Sequence, residues 1–352
     1  MAYEIDYIPV GEGERGGDAI ALRYGPALEG LQKQQTVIVI DGGTKESGEA
    51  LVEHIKNHYG TTRVDIAIST HPDQDHASGL CVVLENLQVG ALLMHKPWEH
   101  AQEIKNMFKD GRITASGLED RIEKSLQNAS DLEAIANRKK IPIYEPFQGI
   151  DVGMFHVLGP SKEYYESLLP HFKDMPTPKT TLGIFAPIVK TAEEVVSWVE
   201  DSFGVDLLSD DEDTTSASNN TSTIILFNLD GRKILFTGDA GKTALLQAIE
   251  YAETRPTPIA LSDLVLFDVP HHGSKRNINS KVMKKIRATT AFVSAPKDGN
   301  PKHPSKKVTN ALQKHGSGVY VTRGGSLLHH FQGNARGWGN ATPEPFHPRV
   351  EE

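Results

Sequence analysis

Short β-branched apolar runs punctuate this chain, and between them lie segments whose apolar residues recur at helical spacing. YEIDYIPV (3–10), DAIALRY (18–24), TVIVI (36–40) and VDIAIST (64–70) read as strands, each bounded by glycine or polar turns. Leu51, Val52 and Ile55 mark a helix over Ser47–Tyr59, and a second is expected over Ala77–Leu87 before the strand ALLMH (91–95). A longer helical region runs from about Ala101 to Arg138 and closes before Pro142, after which VGMFHVL (152–158) is a strand. SDDEDTTSASNN (209–220) is acidic and nearly free of apolar residues, which predicts a mobile loop. Alternation then resumes with STIILFNL (222–229), KILFTG (233–238), LVLFDV (264–269), TAFVSA (290–295) and VYVT (319–322), the first two joined by an Asp230-Gly231 hairpin turn. The pattern is that of a layered α/β protein.

Composition and charge narrow this picture. At 352 residues the chain can bury a large core, and no stretch approaches the roughly 20 apolar residues that cross a bilayer. The start, MAYEIDYIPVGEGERGG, lacks a basic segment and an apolar core of the secretory kind, so a cytoplasmic location is expected. Cys81 is the single cysteine, which excludes an internal disulfide and a cysteine-rich zinc site. The net charge of -9 conceals an uneven distribution. Between His271 and Arg336 thirteen lysines and arginines face one acid, Asp298, so that block carries about +12.

Three strand ends carry the candidate chemistry. THPDQDH (70–76) follows an apolar strand, where open α/β sheets place ligands. One aspartate there is explained by a helix cap. Two aspartates and two histidines within six residues are better explained as N and O donors converging on divalent cations. ILFTGDAG (234–241) delivers Asp239, a carboxylate able to bridge two cations. LFDVPHHGSKRN (266–277) delivers His271 and His272, one to ligate metal and the other to donate to substrate or act as an acid. Gly17-Asp18 and Asp41-Gly-Gly43 read as turns, while Lys302-His303-Pro304-Ser305 offers a basic group and helix N-terminal amides to an anion.

Taken together, GDAIAL (17–22), VIVIDGG (37–43), STHPDQDHASG (69–79), VLGP (157–160), NNTSTIILF (219–227), ILFTGDAG (234–241), VPHHGS (269–274), VSA (293–295) and KHPS (302–305) carry a resemblance. The sequence resembles the metallo-β-lactamase-fold hydrolases, and within them the soluble hydrolase domain of the competence protein ComEC and its stand-alone relatives. The resemblance implies a four-layer αββα sandwich, and the chain's own pattern gives one domain over 1–335 with a helical insertion at about 98–140, a flexible acidic insertion at about 200–220, and a C-terminal tail, 336–352. It implies a first metal held by His71 and Asp73, a second held by Asp75, His76 and a later histidine assigned as His271, and Asp239 as the bridge. His272 lies adjacent, His303 lies nearer the substrate, and His156 is a further candidate ligand on a middle strand, where Leu158 is the other occupant. Asp73 stands where the commoner motif has histidine, and an oxygen donor there shifts preference from zinc towards manganese or magnesium. The cofactors implied are two divalent cations, zinc or manganese with magnesium a further choice.

Two such cations generate hydroxide from water near neutral pH. Asp75 would orient that water or take its proton, with His272 as its catalytic partner, and Lys275, Arg276, Lys302 and His303 would hold an anionic substrate. Phosphodiester hydrolysis, of nucleic acid above all, is the activity expected, with a place in DNA processing or defence. The alternatives are hydrolysis of a lactam, lactone, thioester or cyclic nucleotide, and a metal-binding module without catalysis.

Overall fold

Runs such as TVIVI and LVLFD lack polar alternation because their strands are covered on both faces. The computed structural model describes residues 1–11, 16–26, 34–180, 198–203, 207–211, 213–298, 303–333 and 336–351. The first sheet contains β1 (Ala2–Tyr7), β2 (Ala19–Gly25), β3 (Thr36–Gly42), β4 (Arg63–Ile68), β5 (Gln88–Leu93) and β6 (Ile143–Tyr144). The second contains β7 (Asp151–Val152) and β8 (Phe155–Gly159); β9 (Trp198–Glu200) stands outside both. The second sheet continues with β10 (Ile224–Leu229), β11 (Arg232–Phe236), β12 (Leu264–Asp268), β13 (Ala288–Val293) and β14 (Gly318–Val321). Last come β15 (Leu327–Phe331), which joins the first sheet beside β1, and β16 (Arg349–Glu351), which pairs with β9. The orders are β15-β1-β2-β3-β4-β5-β6 and β14-β13-β12-β11-β10-β8-β7.

Alternate residues of each strand face opposite layers. Tyr3, Ile5, Tyr7, Ile38 and Ile40 from one sheet meet Ile225, Phe227, Ile234, Phe236 and Leu266 from the other, forming the central core. The opposite face of the first sheet packs under α1 (Lys45–His54), α2 (Gln74–Asn86), α3 (Ala101–Ile104), α4 (Ala115–Ser125) and α5 (Gln127–Lys139). Next in the chain come α6 (Lys162–Leu168) and the single turn α7 (Ala217–Asn220). The opposite face of the second sheet packs under α8 (Lys242–Thr254), α9 (Ser280–Lys285) and α10 (Lys306–Lys314). This is the αββα sandwich. Parallel pairings β3–β4–β5 and β11–β12–β13–β14 bring several strand C-termini to one edge, where the two sheets meet.

Several elements differ from a local reading of the sequence. Helix α2 starts at Gln74, three residues earlier than Ala77, so Asp75 and His76 lie in its first turn. It can do so because Gly79 lies against Gly42 of β3, where an added Cβ would stand 1.9 Å from the Gly42 carbonyl oxygen. The expected helix from Ala101 to Arg138 is broken around Gly111 and again at Leu126; Thr114 caps α4 by accepting from the Gly117 N–H. The stretch 213–220 is no detached loop. The Asp213 carboxylate accepts from Thr215 N (2.9 Å) and Thr243 N (2.8 Å), filling the N-terminus of α8, whose cap residue Gly241 has no side chain to do so. The residues expected as a C-terminal tail are also anchored: Val350 is buried, and the Arg336 guanidinium reaches Glu4 and Asp6 of β1.

Candidate metal centre

The site lies where β3, β4, β11 and β12 end. Its centre is the Asp239 carboxylate, in the turn between β11 and α8. His71 Nε2 is 3.6 Å and His271 Nε2 3.8 Å from Asp239 Oδ2. His76 Nε2 is 3.5 Å and His272 Nε2 4.0 Å from Asp239 Oδ1. Asp73 Oδ2 stands 3.8 Å from His71 Nε2, and donor atoms of Asp75, His76 and His272 lie within 4.8 Å of one another. Asp73 occupies the N-cap position of α2 but makes no capping bond, so its carboxylate is turned to the site rather than to the helix.

The hydrogen-bond network assigns the tautomers. His76 Nδ1 donates to Asp41 Oδ2 (2.8 Å) and His272 Nδ1 to the Ser294 carbonyl (2.8 Å). His271 Nδ1 donates to Asn277 Oδ1 (3.0 Å); the Asn277 amide nitrogen is committed to the Asp239 and Ala240 carbonyls, which fixes the orientation. The Thr70 hydroxyl gives its proton to Asp41 (2.6 Å) and therefore accepts from His71 Nδ1 (3.0 Å). Each of these four imidazoles uses Nδ1 as its hydrogen-bond donor and turns its Nε2 towards a carboxylate.

Lone pairs facing a carboxylate repel unless a cation lies between them. His71 Nε2, His76 Nε2 and Asp239 Oδ1 are buried without hydrogen-bond partners, a costly state for polar atoms. Separations of 3.5–4.0 Å suit donors arranged around a common ion at roughly 2.1 Å each. The donor set therefore fits divalent cations. Without them a proton answers the same field: burial disfavours charge on His76, but Asp239 and Asp41 outweigh it and hold its pKa well above the ordinary value. Burial likewise opposes ionisation of Asp239, yet His271, His76 and His272 hold its carboxyl well below the usual range. His272 is pushed down, chiefly by burial.

The geometry exchanges the two neighbouring histidines. His272, expected beside the centre as a catalytic group, joins Asp75 and His76. His271, expected as the ligand there, faces the other oxygen of Asp239 alongside His71. Both residues have positive φ (50° and 57°), and this tight turn sends their side chains to opposite oxygens of Asp239. His156 is turned away: its Nδ1 pairs with Asp151 (2.8 Å), which also binds Arg255, and Leu158 is buried under α8. His303 lies beside the site, with its ring 6.0 Å from that of His271, and burial first among the causes pushes its pKa down to about 4. Lys275 is half-buried and Arg276 exposed on the turn that follows His272, while Lys302 falls outside the described residues.

Several site residues escaped the sequence motifs. Asp41 orients both His76 and Thr70, and Asp18 reaches within 4.8 Å of His76 and Asp239 donor atoms, so these two strand-end turns belong to the site. Gly17 makes that approach possible; it has φ +62°, and a Cβ there would meet the Asp75 carbonyl oxygen at 1.5 Å. Burial, then Asp268, pushes the Asp18 carboxyl well up. Their signal was the glycine beside each aspartate at a strand boundary.

The family model described as the metallo-beta-lactamase superfamily matches residues 31–295. ComE operon protein 3 of Bacillus subtilis (strain 168) is 28% identical over 116 residues, which is 33% of this chain and 14% of that protein's length. The structure of CmlA, a diiron beta-hydroxylase from Streptomyces venezuelae, aligns over 94% of this chain and 54% of its own at 13% identity and a TM-score of 0.43. A long form RNase Z from yeast aligns over 84% of this chain and 37% of its own, at 11% identity and a TM-score of 0.36. Among the described residues no helix is long and apolar enough to cross a membrane.

Proposed function

The chain belongs to the metallo-beta-lactamase superfamily, and from that premise we propose that it is a metal-dependent phosphodiesterase acting on nucleic acid. The observation that carries the reading is the division of donors around Asp239: His71, His271 and Asp73 on its Oδ2 side, His76, His272 and Asp75 on its Oδ1 side. Those two sets of residues would hold two divalent cations, which would supply positive charge to the attacking and leaving oxygens of a phosphoryl centre. Two divalent cations, zinc or manganese or magnesium, would supply Lewis acidity and a low-pKa water when bound.

The chain's own residues set the rest. Asp41, Thr70, Asn277 and Ser294 hold the four imidazoles in the ligating tautomer, as partners of metal ligands do. Asp75, half-buried at the head of α2, is placed to orient a water or receive its proton at a carboxylate oxygen. His303 is neutral near pH 7, and its Nδ1 is buried without a hydrogen-bond partner, so the ring can donate to a substrate oxygen. Lys275 and Arg276 follow the histidine pair after Gly273-Ser274. The Ser305 N–H donates to the Gly273 carbonyl (3.0 Å), which brings the N-terminus of α10, with Lys306 and Lys307, beside the same turn. These groups favour an anionic substrate.

Part of the remaining basic block is less available than its sequence suggests. Lys285 pairs with Glu253, Lys314 with Asp201, Arg323 with Glu344, and Arg336 with Glu4 and Asp6. The test is hydrolysis of bis-nitrophenyl phosphate, single- and double-stranded DNA, and RNA by metal-loaded protein. Asp75→Ala, His76→Ala and complete chelation should each abolish cleavage, and cleavage of DNA or RNA should fall steeply with salt. Full phosphodiesterase activity after chelation, or cleavage confined to lactams, lactones or thioesters, would refute the assignment.

A further inference from the structure

The acidic stretch that a local reading makes a loop ends in α7, and α7 touches both Asp73 and Asp239. The Ser218 hydroxyl donates to Asp73 Oδ1 (2.5 Å), while Asp73 Oδ2 faces His71 Nε2 at 3.8 Å. The Asn219 amide nitrogen donates to Asp239 Oδ2 at 3.1 Å. The orientation of that amide is set locally, because Asn219 Oδ1 accepts from the Ser216 hydroxyl (2.5 Å) and Asn219 N donates back to Ser216 Oγ (3.0 Å). Asn220 braces the same turn through the carbonyls of Thr215 and Ser216, and Asp213 ties the segment to α8. The turn is therefore rigid, and its two side chains face metal-type carboxylates.

We infer that Ser218 and Asn219 are positioning residues that set the cation preference of the centre, Ser218 by leaving Oδ2 as the stronger donor atom of Asp73 and Asn219 by loading Asp239 Oδ2. A free carboxylate has two oxygens and can chelate a large, oxygen-preferring cation with both. With one lone pair of Oδ1 engaged by the Ser218 proton, Asp73 presents Oδ2 as its stronger donor atom, closer to the single donor of an imidazole. The hydrogen bond also draws charge from the carboxylate. Fewer strong oxygen donors and less charge favour four-coordinate zinc over six-coordinate manganese or magnesium. Ser218 thus counters the hardening that an aspartate at position 73 would otherwise bring. Nothing in the motif STHPDQDHASG reveals this, because Ser218 is 145 residues from Asp73.

The inference rests on the metal-centre reading, and direct binding measurements on the full chain separate the two. Zinc affinity is read by competition with a chromophoric chelator and manganese affinity by the electron paramagnetic resonance signal of the free ion. Ser218→Ala should weaken zinc by about 10–100-fold and manganese less, so the zinc-to-manganese ratio falls by about tenfold. Ser218→Thr keeps the hydroxyl and should keep the wild-type ratio. In an Asp73→His background, where no second oxygen exists, Ser218→Ala should leave the ratio unchanged. Should Ser218→Ala fail to fold, Ser218→Cys, with its weaker donor, should give an intermediate ratio. An unchanged ratio in Ser218→Ala or Ser218→Cys overturns the inference, as does an equal change in the Asp73→His background. Wild-type protein that binds neither cation would overturn the metal-centre reading itself.

Discussion

On the proposed reading, His76 is the residue at which a proton and a cation would compete most directly. In the metal-free chain its imidazole is buried, yet Asp239 and Asp41 hold its pKa well above the ordinary value of 6.5. A raised folded pKa means that protonation stabilises the folded state. That contribution is complete below the unfolded pKa of about 6.5 and is lost as pH rises through the folded value. Asp239 stays ionised throughout this window, because His271, His76 and His272 overcome its burial and hold its pKa well below the usual range. A bound cation replaces the proton, and its binding releases that proton. The metal-free protein should therefore lose stability as pH climbs above about 6.5, while the rise in Tm on adding zinc grows. Thermal unfolding at several pH values, with and without zinc, reads both trends. A zinc-induced shift that stays flat between about pH 6 and 9 would contradict them. The candidate ligands were visible in the sequence because three short motifs hold them. Their orienting partners were harder to read, since Asp41 lies 35 residues from His76 and only the glycine beside it marks the strand end.

At the level of elements, α2 sets the positions of Asp75 and His76, and Gly79 sets the position of α2. Gly79→Ala places a methyl group against the Gly42 carbonyl and must lift the helix from β3. The expected cost is about 1–3 kcal/mol of stability together with weakened zinc binding. Denaturant unfolding and chelator competition measure the two effects, and a variant unchanged in both would show that the contact does not position the site. The strands were legible for the same reason the core is dense: burial on both faces requires apolar runs, and YEIDYIPV, TVIVI, IILFNL and LVLFD supply them. The start of α2 was not, because polar residues held by tertiary contacts carry no helical periodicity. The same reason hid the role of 213–220: Asp213 and Asn219 are polar in sequence but buried against α8 and Asp239. The αββα order of layers also lay beyond periodicity. It entered through the family resemblance, and the two seven-stranded sheets bear it out.

Across the whole molecule, charge that is segregated in sequence is partly neutralised in space. Arg336, from the basic C-terminal block, closes on Glu4 and Asp6, acids that sit on the outer face of β1 with no exposure to solvent. Arg23 completes Glu4, while His54 and Tyr59 complete Asp6. The two ends of the chain are thus joined through buried ions. Removing one partner of such a set leaves charge stranded in a medium of low polarity, whereas the intact set is close to neutral in its effect. Arg336→Ala should cost roughly 3 kcal/mol, at the low end for a buried pair because His54 and Tyr59 still serve Asp6. Burial works against ionisation of Asp6, but His54 and Arg336 outweigh it and lower its pKa. A depressed folded pKa contributes stability above the unfolded value of about 3.9, and that stability is lost as pH falls through the folded value. In Arg336→Ala the Asp6 pKa rises, so the deficit relative to wild type should be full at neutral pH and shrink as acid protonates Asp6 in both proteins. Urea unfolding at neutral pH and at steps down through about pH 3, below the ordinary Asp6 value of 3.8, measures this difference. A deficit that is constant over that range would mean that Arg336 acts through packing against Tyr59 and Trp338 rather than through charge.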